Sequence, residues 1–313
     1  MTGETICGGS AVELFLNEIG NGLFLGAFFG LIAVGYSMVY GILRLINFAH
    51  GDFFMVAAFV SYAILGAVAV GHAHMVWFTV IWVGLLVMFL TGLLAVIANR
   101  LIYHPMRRAA LLSLMIAALG LSQVLENGVL NIPAWGSAYL TYPVTSPPSG
   151  FTLGTTHFTW FQLIIVIISG LLSLGAYLLV SRTLLGKAMR AVSEDRIAAA
   201  LMGINVDLVI AVVFFIGGAL AGAAAVMTGV YYGQINYLMG WTVGLEAFTA
   251  AVLGGIGNIG GAVLGGVVLG IAQSVGTGLF GAEWAIVVTF VALVLLLWLR
   301  PTGILGERVA RRM

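Results

Sequence analysis

Two groups of side chains in this chain have the types and spacing to do more than pack. The first lies at 40–52, where Arg44, Asn47, His50 and Asp52 stand in one short turn between two apolar runs. Ionisable groups beside a bilayer are costly unless paired or solvated, so they are functional candidates by default. Arg44 and Asp52 are expected to pair across the turn, while Asn47 and His50 satisfy exposed backbone groups. Such a network either closes the turn and fixes the angle between spans, or takes part in gating. His50 and Asp52 supply two metal ligands, and two do not make a site.

The second group is the segment 182–207, the most charged part of the chain, with Arg182, Lys187, Arg190, Glu194, Asp195, Arg196 and Asp207. Ser193 followed by Glu194 and Asp195 reads as a helix N-terminus, with acids where the helix dipole favours them. Residues 198–202 would continue that helix and Gly203 would end it. Ile197, Leu201 and Met202 give the helix an apolar face. That face suits a partner's groove, or rests on lipid headgroups; the residues leave both open. Glu126, Glu246 and Asn258 are polar groups within or at the edge of apolar runs and are candidates for a translocation path. Glu126 is equally read as a buried helix contact, and Glu246 as a group among outer headgroups.

Catalytic patterns are missing. Gly255, Gly257 and Gly260 match the dinucleotide fingerprint by letter but lack the strand and the βαβ unit it needs. Gly186-Lys187 is followed by Ala188, and position 181 is Ser, so there is no P-loop. Neither His-Glu-x-x-His nor Gly-x-Ser-x-Gly occurs. His72 and His74 sit in a short outer turn with no carboxylate nearby in sequence. No catalytic residue, metal or cofactor is expected.

Composition explains why. Of 313 residues 62% are hydrophobic and 7% are charged, whereas a soluble domain carries about 25% charged residues. A soluble, disordered or disulfide-stapled chain is excluded, and a net charge of +1 points to no nucleic acid. The single cysteine, Cys7, forms no internal bridge. No cationic stretch precedes the first apolar run, so no cleavable signal peptide is expected. About 20 apolar residues cross a bilayer as a helix. Apolar runs of that order lie at 22–40, 53–70, 75–98, 111–130, 158–180 and 208–231, followed by a glycine-rich run at 243–279 and a last one at 284–299. The expected fold is all-α, one polytopic transmembrane helix bundle over 1–313.

Charge orients it. With the N-terminus outside and the C-terminus inside, all 12 Lys and Arg fall on the inner side, as the positive-inside rule requires. The outer segments are neutral or acidic, with Glu4, Glu13 and Glu18 at the start and an uncharged, proline-rich loop at 131–157. The run 243–279 must then begin and end outside. It is too long for one crossing and short of two full ones, so it reads as a re-entrant or short-span hairpin turning near 257–260. Glycines recur at four-residue spacing at Gly22, Gly26 and Gly30, at Gly218 and Gly222, at Gly257, Gly261 and Gly265, and at Gly266 and Gly270. Small residues so spaced let helix backbones approach closely, inside one subunit or across a dimer.

These segments, in this order and topology, resemble the permeases of branched-chain amino acid ABC importers. The first-loop pattern is carried by Asn47-Phe48-Ala49-His50-Gly51-Asp52. The cytoplasmic pattern is carried by Arg190-Ala191, Asp195, Ala199 or Ala200, and Gly203-Ile204-Asn205. The motifs Leu253-Gly254-Gly255-Ile256-Gly257-Asn258-Ile259-Gly260-Gly261-Ala262 and Arg300-Pro301-Thr302-Gly303-Ile304-Leu305-Gly306 are also typical. The resemblance runs from about Asn21 to Gly306. It implies a permease subunit of the bacterial inner membrane that pairs with a homologous second permease, two cytoplasmic ATP-binding subunits and a periplasmic solute-binding protein. It also implies that 182–207 is the coupling segment, with Arg190, Glu194, Asp195, Arg196 and Gly203 meeting an ATPase. Urea, short-amide and aromatic-acid permeases look similar, so the cargo stays open. A self-sufficient secondary transporter or channel is the reading from another class; it needs midplane ion ligands, and the spans offer few.

Overall fold

The computed structural model describes residues 11–68, 76–107, 109–136, 138–147, 149–153 and 156–306. His72 and His74 lie outside these residues. The chain runs α1 (Ala11–Leu43), α2 (His50–Val68), α3 (Val76–Ala98), a π-helical turn (Asn99–Tyr103) and α4 (Leu111–Leu130). Strands β1 (Leu140–Thr141), β2 (Gly150–Leu153) and β3 (Thr156–Thr159) follow, then α5 (Trp160–Arg182), α6 (Leu184–Glu194), α7 (Arg196–Leu201) and α8 (Val206–Tyr232). The chain closes with β4 (Gln234–Ile235), α9 (Met239–Gly254), α10 (Ile259–Phe280), a 3-10 turn and α11 (Ala285–Leu299). Every described proline falls outside the helices, where its missing N–H and fixed φ break nothing. Among the described residues eight helices are long and apolar enough to cross a membrane.

Because lipid gives helices no hydrophobic reason to associate, close packing must do it. The glycines provide it inside the chain. A Cβ on Gly22 would come within 2.5 Å of the Ile271 Cα, and one on Gly26 within 2.6 Å of the Val267 Cα. From the facing helix, Gly266 and Gly270 press on Gly30 and Gly26, so α1 and α10 lie backbone to backbone. Gly218 and Gly222 do the same for α8 against Thr91, Ala95 and Met88 of α3. Gly254 of α9 meets Gly261 and Gly265 of α10.

The glycine-rich run is two helices of unequal length. At 1.5 Å per residue, the 22 residues of α10 span about 33 Å, and the 16 of α9 about 24 Å. Only α10 matches a hydrocarbon core of about 30 Å. Their turn, at 255–258, lies beside Tyr40 and Gly41 at the C-terminal end of α1. The tail clasps it there: Ile304 N donates to Leu253 O and Leu305 N to Gly254 O, both at 2.9 Å. Arg196 also reaches this end, donating from Nη2 to Ile42 O at 3.3 Å. The Arg-bearing segments around 44, 107 and 196 thus share one end of the bundle with the hairpin turn.

The loop 131–157 is more structured than a connector. β1 pairs antiparallel with β4, and β2 with β3, so short strands interrupt the all-α pattern. Tyr142 is fully buried; its ring packs on Gly229 and its hydroxyl donates to Ser61 Oγ at 2.7 Å. Burial pushes the Tyr142 phenol up to about 12, against the opposing pull of the Ser61 bond. Tyr142→Phe is expected to cost about 0.5–1.5 kcal/mol of unfolding free energy, and Tyr142→Ala about 3–5 kcal/mol. The folded pKa lies above the ordinary 10.0, so the protonated phenol is favoured by folding. The advantage of Tyr over Phe is therefore complete below pH 10 and shrinks as pH climbs toward 12. Thermal melts of the two proteins across that range check it.

Candidate functional site

The polar turn and the charged segment occupy neighbouring parts of the same end of the molecule. Helix α1 stops at Leu43, where Arg44 adopts the left-handed region at φ 52° and donates its N–H to Tyr40 O at 2.7 Å. The chain then folds back alongside α1. The His50 ring lies against Gly35, eight residues before Leu43 or about 12 Å along the axis, and packs tilted against Tyr36 at 4.6 Å between centroids. The first turn of α2 is closed by His50 N to Asn47 O and Asp52 N to Ala49 O, at 3.0 and 3.1 Å. Asn47, His50 and Asp52 are all buried, at 1%, 1% and 2% exposure.

This geometry corrects the expected Arg44–Asp52 pair. Arg44 stays exposed at the end of α1, while α2 carries Asp52 into the bundle, and the two form no ion pair. Asp52 instead meets the Ser122 hydroxyl of α4, with Glu126 one turn further along the same helix. Gly51 lies against Gly240 and Gly244, so α9 starts beside the first turn of α2. A Cβ on Gly240 would sit 2.7 Å from Asp52 Oδ1. Asn47 Oδ1 accepts the Tyr103 hydroxyl at 2.6 Å. Tyr103 is placed by the π-helical turn, closed by His104 N to Asn99 O at 2.7 Å; π-bulges favour functional sites. Tyr36, Tyr103 and Ser122 were not singled out in the sequence. Ser122 and Glu126 stand at i and i+4 in an apolar run, and that spacing was the available signal.

The other path candidates fall elsewhere. Glu246 accepts from Gln273 Nε2 at 2.7 Å, and Gln273 is buried between α9, α10 and α11. Asn258 is committed to holding the hairpin: Oδ1 accepts from Gly261 N at 3.0 Å, and Nδ2 donates to Leu305 O at 3.1 Å.

The charged segment forms two helices, where one was expected. Thr183 caps α6 by accepting from Gly186 N at 3.2 Å. Gly186 lies so near Val180 O that a Cβ would approach to 1.9 Å. Arg190 Nη1 donates to Val180 O at 2.6 Å and folds α6 back onto the end of α5. Glu194 is the last residue of α6, and Ser193 is interior to it, its hydroxyl donating to Arg190 O at 2.8 Å. The cap of α7 is Asp195, whose Oδ1 accepts from Ile197 N and Ala198 N at 2.8 and 3.0 Å. Ser193 therefore does not start the helix. Gly203, at φ 84°, ends it with Ile204 N donating to Ala199 O at 3.0 Å. Ile197, Leu201 and Met202 are 76%, 84% and 83% exposed, as the apolar-face expectation required. Asp195→Ala should loosen α7 by about 1 kcal/mol, and Asp195→Asn should keep most of that. Hydrogen exchange at the Ile197 and Ala198 amides reads the difference.

Among the described residues no group of three or more His, Cys, Asp or Glu could hold a metal. The arrangement is one of tightly packed helices, a buried polar junction between α1, α2, α4 and α9, and an exposed apolar helix at the basic end. Comparison with known proteins gives this a family. The family model for the permease component of branched-chain amino acid transport systems matches residues 18–297. The chain belongs to that family. The permease is 39% identical over 298 residues to the high-affinity branched-chain amino acid transport system permease protein BraD of Pseudomonas aeruginosa, covering 94% of this chain and 96% of that one. It is 38% identical over 297 residues to LivH of Salmonella typhimurium, with the same coverage. The ribose import permease protein RbsC of Escherichia coli is 29% identical over 158 residues, or 46% of this chain and 49% of its own length. No solved structure matches the permease. These relatives are transport permeases and not enzymes, and the eight apolar helices make this chain a multi-pass membrane protein.

Proposed function

We propose that this chain is the membrane-spanning permease subunit of an ATP-driven importer that carries branched-chain or other small amino acids across the bacterial inner membrane. Its basic end faces the cytoplasm, and its partners are a homologous second permease, two ATP-binding subunits and a periplasmic solute-binding protein. The observation that carries this reading is α7: a six-residue helix capped by Asp195, closed at Gly203, and presenting Ile197, Leu201 and Met202 almost fully exposed. A soluble partner's groove covers such side chains at lower cost than water does. Arg196 connects α7 to Ile42 O at the end of α1, so movement of α7 is transmitted to the helix at the centre of the bundle. Arg190, bonded to Val180 O, anchors the preceding helix that aims it, and Glu194 is that helix's last residue.

The short helix α9, starting beside Gly51 and ending at the basic end, acts as a partial crossing against the full-length α10. Discontinuous or short helices at such depth line pathways. Asp52, Ser122, Glu126, Asn47 and His50 then form the polar junction through which gating passes. Proteoliposomes holding the chain alone should show no leucine uptake, and uptake should appear only with its ATP-binding and solute-binding partners and with ATP. Concentrative uptake by the chain alone would reverse the assignment to a secondary transporter.

A further inference from the structure

At the basic end, the termini of α1 and α4, the π-helical turn of α3 and the start of α7 line a half-open cavity of about 210 Å³. Two guanidinium groups, Arg107 and Arg196, line it together with Tyr103, Leu45, Leu111 and Leu114. No carboxylate is among the lining residues. Arg107 spends Nη1 on Asp207, which leaves Nε and Nη2 buried with no hydrogen-bond partner. Those two atoms form one edge of the guanidinium, the edge that grips a carboxylate or phosphate in two parallel bonds. Leaving it unpaired is costly. Arg196 donates once, to Ile42 O. Burial, and after it the charge of Arg107, holds its guanidinium below the ordinary value, so the two cations face one space.

The chemistry that satisfies this space is an anion with an apolar body. A free amino acid is a poor fit, because no carboxylate in the lining would balance its ammonium charge. Helix α4 continues outward from the Leu111 wall with Leu112, Ile116 and Leu119 at 67%, 59% and 40% exposure, a track on which an acyl chain would lie. Basic pockets between membrane helices bind anionic lipid headgroups by this combination. We propose that the Arg107–Arg196 cavity binds the phosphate of an anionic phospholipid, with the acyl chains running along α4. The site sits between the end of α1 and α7, so an occupied headgroup braces the region that carries α7.

The test uses the full-length chain purified in detergent and native mass spectrometry of retained lipid, with phosphatidylglycerol titrated against phosphatidylcholine. Phosphatidylglycerol should be retained preferentially. Arg196→Gln should weaken that retention about tenfold, the loss expected for one charge-assisted bond. Arg107→Lys keeps the charge and the Asp207 pair but removes the two-toothed edge, and should weaken retention similarly. Circular dichroism establishes that both variants fold. Equal retention of the two lipids, or unchanged phosphatidylglycerol retention in both variants, overturns the proposal. Glycerol 3-phosphate competing as well as the whole lipid would assign the cavity to a free phosphate ester, and leucine competing to an amino acid; either outcome also overturns it. The assay needs neither ATP nor a partner, so its failure leaves the importer reading standing.

Discussion

Gly266→Val combined with Gly270→Val is expected to remove folded protein from the membrane. A Cβ at Gly266 would lie 2.4 Å from the Gly30 Cα, and at Gly270 2.3 Å from the Gly26 N. Both neighbours are backbone, so no rotamer change relieves the clash. Overpacking a well-filled interior costs about 1–3 kcal/mol per site and more where backbones must separate. Two such sites on one seam consume much of a stability of about 5–15 kcal/mol. Gly170→Ala on α5 is the matched control: a Cβ there meets nothing within 4 Å. Helix propensity favours that exchange by about 1 kcal/mol. Membrane abundance and detergent melting temperature should collapse in the double variant and hold or rise in the control. A double variant that melts like wild type would mean that α1 and α10 do not meet as described.

Leu201→Asp is expected to silence transport without harming the protein. Leu201 is 84% exposed, and substitutions at such positions usually change stability by no more than about 0.5 kcal/mol. At an interface, a buried anchor contributes about 2 kcal/mol or more, which is more than tenfold in affinity. Uptake by the assembled importer should fall at least about tenfold while membrane abundance and melting temperature stay put. Ile197→Ser should act in the same direction. Unchanged uptake in both variants would leave α7 resting on lipid and remove the coupling role. Asp195→Ala separates less cleanly, because Asp195 caps α7 and its loss disorders the helix as well as altering its charge.

Where the sequence was legible, a single local force dominated. The run 111–130 coincides with α4, bounded by the extended Ala110 and the cap Asn131, because its overall apolar character outweighs the polar Ser122, Gln123, Glu126 and Asn127 within it. Helix α1 begins well before residue 22, because Asn17, Glu18 and Asn21 break the apolar run without breaking the helix; Glu18 accepts from Ser274 at 2.7 Å. The sequence placed a turn near 257–260, and the break between α9 and α10 falls at 255–258, with Asn258 as the cap of α10. Glycine spacing told which faces would be bare, and only the fold told that α1 and α10 supply each other's. The same limit explains the failed Arg44–Asp52 pair. Nearness in sequence suggested it, but the chain reverses between them and takes Asp52 to Ser122, a partner on a distant helix. The sequence pointed to Ser193 as the start of the helix, and the cap stands instead at Asp195, a residue type equally able to cap. The choice fell to Asp195 once the Ser193 hydroxyl turned back to Arg190 O.

The seam between α1 and α10 also sets an order of events during biosynthesis. Gly22, Gly26 and Gly30 reach the membrane about 240 residues of synthesis before Gly266 and Gly270. At about 5–20 residues per second, the first helix waits on the order of ten to fifty seconds for the surface that fits it. During that interval its bare stripe is open to any other small-residue helix, including that of a neighbouring nascent chain. Rapid retention by the translocation machinery, or temporary shelter by α8 and α5, is therefore a requirement that this architecture places on the cell.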